Sequence, residues 1–135
     1  MLDTATERPG EVDGAVPADD VRSAIARYRD ALNRHDLDAV VAAFTDDGLI
    51  DCTPAPDGER YEGSGRIREL FVQLLDPAAE RAFETEEMIV AGDRAVVRWR
   101  HRWIDSAGCP GHVRGVDVLR VRDGKVAEKL SYVKG

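Results

Sequence analysis

The sequence predicts an α+β domain in which helices come first and cover one face of a curved antiparallel β-sheet. Three observations carry this. Apolar residues recur at helical spacing through the first half of the chain. The period changes to two after Asp76-Pro77, and Gly92-Asp93, the Ser106 to Gly111 loop and Asp123-Gly124 cut the second half into four strand-length runs. Such an architecture leaves room for a pocket between its layers.

Met1 to Ala18 mixes Pro9, Gly10, Gly14 and Pro17 with scattered charge and little periodic apolar content, so residues 1–18 read as a disordered leader and residues 19–135 as one domain. From Asp20 to about Arg34, Val21, Ile25, Tyr28 and Leu32 fall on one helical stripe, which turns Tyr28 inward. A second helix is expected from Asp36, its N-cap, to about Phe44, ended by an Asp46-Asp47-Gly48 turn. Gly48–Cys52 reads as a short strand with Arg60–Glu62 as its return. Ser64 to Leu75 reads as a third helix, with Ile67, Leu70, Phe71, Leu74 and Leu75 at the 3.6 period. Strands are then expected over Ala82–Ala91, Arg94–Ile104, His112–Arg122 and Lys125–Val133.

Two of these strands carry the functional signal. In Arg94–Ile104, Val97, Trp99, His101 and Trp103 share one side, and two indoles and an imidazole suit the lining of a cavity as well as a core. In the following strand, Val113, Gly115, Asp117, Leu119 and Val121 share the apolar side, so an acid is aimed where apolar groups belong. A carboxyl placed there finds a cation, accepts hydrogen bonds or stays protonated, unless a twist or bulge returns it to solvent.

At 135 residues, with 43% hydrophobic and 33% charged side chains, the composition is that of a soluble globular protein, and no apolar run is long enough to span a bilayer. A net charge of −7 argues against nucleic acid as partner, with Arg98, Arg100 and Arg102 as the one local basic row. Cys52 and Cys109 are two thiols without a secretory leader, so no disulfide framework is indicated and a cytoplasmic location is expected. His35, His101 and His112 lack the spacing of metal ligands, although His101 and His112 could meet across a hairpin; neither metal nor cofactor is expected.

The run from Arg27-Tyr28-Arg29-Asp30 through Leu37-Asp38-Ala39-Val40-Val41-Ala42-Ala43-Phe44-Thr45-Asp46-Asp47 resembles the first helices of the SnoaL-like and ketosteroid isomerase-like branch of the nuclear transport factor two-like superfamily. The Tyr61-Glu62-Gly63 turn and the ending Gly115-Val116-Asp117-Val118-Leu119-Arg120-Val121-Arg122-Asp123-Gly124-Lys125-Val126 are similar to that family too, and the resemblance covers about Asp20 to Val133. It implies a cone-like sheet enclosing an apolar pocket, a homodimer, and a small apolar ligand or substrate.

Ketosteroid isomerase is a worked case of an aspartate base facing an oxyanion hole made of a tyrosine and a protonated aspartic acid. By the resemblance those last two roles fall on Tyr28 and Asp117, whereas the base position falls on Cys52, with Asp51 one residue earlier on the opposite face of the strand. Phe71, Trp99, His101, Trp103, Leu119 and Lys129 complete the expected lining. The pattern of the last strand favours turning Val126, Glu128, Leu130 and Tyr132 inward, whereas the resemblance points Ala127, Lys129, Ser131 and Val133 toward the pocket; a three-residue loop at Arg122-Asp123-Gly124 would set Asp117 directly opposite Lys129 and make the acid an ionised partner of that lysine. Two functions follow. One is an isomerase- or cyclase-type acid–base enzyme acting on a steroid- or polyketide-like carbonyl compound, with Asp51, Cys52 or His101 moving the proton. The other is a non-catalytic ligand-binding or dimeric scaffold protein. Arginines 98, 100 and 102 are candidates to meet acidic side chains of a second subunit.

Overall fold

The computed structural model describes residues 16–53, 56–76 and 80–134. Most of the expected leader, residues 1–15, lies outside the described residues. Helix α1, Ala18–Asn33, opens with Asp19 and Asp20 at the positive end of its dipole and buries Val21, Ile25, Tyr28 and Leu32 on one stripe, together with Arg29. Helix α2, Leu37–Ala42, is capped by the Asp36 carboxylate, which accepts from the Ala39 N–H at 3.1 Å.

Strand β1, Phe44–Cys52, starts four residues earlier than the sequence suggests, so Phe44 belongs to the sheet rather than to α2. The reason is a long-range pairing. Phe44 lies beside Val126 in parallel register, the ladder resumes at Leu49 beside Glu128, and the irregularity between them absorbs Asp46-Asp47-Gly48. A turn signature is thus spent on a bulge inside a strand.

Next come β2 (Glu59–Glu62), α3 (Ser64–Leu74), β3 (Glu80–Ala91), β4 (Arg94–Ile104), β5 (Pro110–Arg122) and β6 (Lys125–Val133). The six strands form one curved, unclosed sheet in the order β2-β1-β6-β5-β4-β3, antiparallel except where β1 runs beside β6. The three helices cover its inner face, where Tyr28, Phe44 and Phe71 meet with ring centroids 5.1 to 6.1 Å apart. Asn33 ties α1 to the edge strand: its amide donates to the Phe83 carbonyl at 3.0 Å and accepts from the Phe83 N–H at 2.9 Å, which completes backbone pairing that an edge strand lacks.

The last hairpin differs from the expected loop. Asp123 and Gly124 both have positive φ, 54° and 74°, and form a two-residue turn closed by Arg122 beside Lys125. A register shift beyond Arg120 then sets Leu119 opposite Lys129 and Asp117 opposite Ser131. Relative to a three-residue loop the slip is two residues, so Lys129 keeps the pocket face, against the pattern of its own strand, while its partner changes.

Candidate active site

A cavity of about 220 Å³ lies between the helices and the sheet. Tyr28, Cys52, Phe71, Trp99, His101, Asp117 and Lys129 all line it. Trp103 does not: it falls in a separate cleft at the open ends of β3, β4 and β5, since each second residue along a strand moves about 7 Å. Leu119 shares the inner face but is 1% exposed, packed in the core under α1. Asp51 points away from Cys52 into an adjoining cleft and lies 3.9 Å from Arg60. His101 and His112 do not meet, because their register partners are Val113 and Arg102. Among the described residues, no group of three His, Cys, Asp or Glu side chains is arranged to hold a metal ion.

The tryptophan opposite the centre of β5 is seated by a glycine. Trp99 pairs with Gly115, where a Cβ would come 2.6 Å from the indole and 2.4 Å from the Tyr132 carbonyl oxygen, so only glycine admits the ring at this point.

Asp117 is 2% exposed and accepts a hydrogen bond from the Ser131 hydroxyl at 2.8 Å on Oδ1. The Lys129 ammonium stands 3.8 Å from Oδ2 and donates to Ser131 Oγ at 2.8 Å. Asp117 thus accepts one hydrogen bond on Oδ1 and faces a cation across Oδ2, the setting of an ion-paired carboxylate. Burial alone would depress the Lys129 ammonium, but Asp117, helped by Tyr28 and Cys52, overcomes it and holds its pKa above the ordinary value. Burial raises the Tyr28 phenol against the opposing pull of Lys129, and Tyr28 stays a hydrogen-bond donor.

The two other candidate bases are weakened. Burial pushes the Cys52 thiol up despite Lys129, and leaves it protonated at neutral pH. His101 is lowered to about 4 by burial, then by Arg81 and Arg29, and its Nε2 lies 3.3 Å from Arg81 Nη1. The guanidinium can only donate, so Nε2 is the acceptor and the ring is neutral. Ser131 was expected on the pocket side by resemblance, but its pairing with Asp117 was hidden by the hairpin register. Arg29, 7% exposed, was missed from sequence; it lies four residues after Ile25 on the inward stripe of α1, the same pattern break that marked Asp117.

Comparison with known proteins fits this geometry. A family model described as the SnoaL-like domain matches residues 25–129. The chain belongs to the SnoaL-like family. Its sheet and helices are those of the nuclear transport factor two-like superfamily. A nuclear transport factor two-like protein of unknown function from Mesorhizobium loti is 34% identical, with a TM-score of 0.72 over 87% of this chain and 93% of that one. A protein named as a polyketide cyclase from Sinorhizobium meliloti is 25% identical, with a TM-score of 0.67 over 87% of this chain and 100% of that one. An epoxide hydrolase of the LEH-like type from M. tuberculosis shares the fold, with 18% identity and a TM-score of 0.74 over 87% and 84% of the two chains. No curated protein matches. The family model carries the membership, and these neighbours share the fold. Among the described residues, no helix is long and apolar enough to cross a membrane.

Proposed function

We propose that this SnoaL-like protein is a cofactor-independent acid–base enzyme of isomerase or cyclase type, acting on an apolar steroid- or polyketide-like carbonyl compound. The observation that supports it is the buried Asp117–Lys129 pair at the cavity wall, beside the Tyr28 hydroxyl. Asp117 is the one carboxylate among the described lining residues, and it takes the role of base that Cys52 cannot fill. In this reading Asp117 removes a proton from the carbon next to the substrate carbonyl, and the electron pair moves onto the carbonyl oxygen. Lys129 and Tyr28 donate hydrogen bonds to that oxygen as its charge grows. Asp117 then returns the proton to another carbon, which isomerises the substrate, or to the alkoxide formed when the enolate attacks a second carbonyl, which closes a ring.

A non-catalytic binding role has one observation in its favour: Ser131 and Lys129 already satisfy Asp117. A phenol such as equilenin, whose oxygen resembles an enolate, separates the two roles. The enzyme reading predicts thermal stabilisation of wild type that is largely lost in Tyr28→Phe and Lys129→Met. Stabilisation unchanged by both substitutions would remove the oxyanion site and leave a binding protein.

A further inference from the structure

The same cavity also carries an unbalanced positive charge. Arg29 and Lys129 line it against the single carboxylate of Asp117, in a chain whose net charge is −7. Lys129 has a partner of opposite charge in Asp117. Arg29 differs. It is 7% exposed, and its described hydrogen bonds go to neutral oxygens, from Nε to Thr85 Oγ1 at 3.0 Å and from Nη2 to the Glu84 carbonyl at 3.3 Å. These contacts use only part of a five-donor guanidinium and cancel none of its charge. Holding a cation in that state is costly without an anion.

A second donor lies on the neighbouring strand. Thr85, which takes the Arg29 hydrogen bond, is the direct cross-strand partner of Trp99. Trp99 lines the cavity, and its Nε1 is buried with no acceptor among the described residues. His101, two residues along β4 on the same face, is kept neutral by burial first and then by Arg81 and Arg29. Phe83, stacked on His101 with centroids 4.5 Å apart, and Phe71 supply flat apolar walls.

We propose that Arg29, with the Trp99 indole N–H as a second donor, forms a carboxylate-binding subsite, and that the compound entering this cavity is a flat apolar carboxylic acid. The acid group anchors at Arg29 and leaves the carbonyl for Tyr28 and Lys129. A guanidinium binds a carboxylate through paired, charge-assisted hydrogen bonds, an interaction that an ester cannot reproduce.

The inference rests on the proposed function only in sharing its cavity, and its test needs no turnover. Naphthoic acid and its methyl ester are titrated against the whole protein by calorimetry. The acid is expected to bind roughly tenfold or more tighter than the ester. Arg29→Gln brings the acid down to the ester, Arg29→Lys restores part of the preference, and Asp117→Asn retains it. Should Arg29→Gln fail to fold, the Arg29 Nε–H resonance of wild type decides: it moves with the acid and not with the ester. Equal affinities, a preference that survives Arg29→Gln, or an unmoved resonance would overturn the subsite. Those results would leave acid–base chemistry on uncharged ketones standing.

Discussion

Asp117 and Lys129 hold each other in place at 3.8 Å, with side chains 3% and 12% exposed. Removing one partner strands the other charge. Asp117→Ala is expected to cost about 3–5 kcal/mol of stability by denaturant unfolding at pH 7, and adding Lys129→Met should recover most of it. The folded pKa of Lys129 is raised, so the pair contributes fully at neutral pH. The Lys129 share of that contribution falls away as the pH rises past the ordinary lysine value of 10.5. His101 runs the other way. Its pKa falls from 6.5 to about 4 on folding, so the unfolded chain binds the extra proton first and stability is lost as the pH drops through that window. Wild type should therefore lose more Tm between pH 7 and pH 4.5 than His101→Gln does; equal losses would show that His101 is not held neutral. Asp117 was legible because it breaks an apolar alternation. Arg29 breaks one too, but a long side chain on a helix can carry its charge to solvent, so the same mark reads as noise without coordinates.

At the level of elements, α1 is fixed to β3 by one side chain. Asn33→Ala removes both hydrogen bonds to the Phe83 backbone and should cost about 1–2 kcal/mol, with faster amide exchange at Phe83 rather than throughout the sheet. A uniform loss of protection would mean that the clip is not local. Periodicity located the three helices and the last four strands among the described elements, because burial on one face imposes it, while turn residues bounded the first two strands. It failed where pairing between distant segments decided the outcome. Phe44 is drawn into the sheet by Val126, and the two-residue turn with its register shift replaced Lys129 by Ser131 opposite Asp117. Nothing local to either segment encodes those partners.

For the whole molecule, the sheet has a second face that the helices leave uncovered. The arginines expected to reach a second subunit are met within the chain, Arg98 by Glu87 at 3.0 Å and Arg100 and Arg102 by Glu84 at 2.7 and 2.8 Å. Between such pairs runs an apolar row in direct register across four strands: Ile89, Val96, Val118 and Leu130, with Ile89 52% exposed. We propose that a homodimer forms through this row, which suits a self-complementary contact. Val118→Arg should convert a dimer to a folded monomer in sedimentation at micromolar concentration; a monomeric wild type would contradict it.

Asp117 as a working base is tested by proton NMR in D₂O of deuterium exchange next to the carbonyl of an uncharged apolar ketone, with wild type and Asp117→Asn compared. Wild type is expected to catalyse the exchange and the variant to slow it roughly 100-fold or more, at unchanged ligand stabilisation. Exchange that is no faster with wild type than with Asp117→Asn would contradict it.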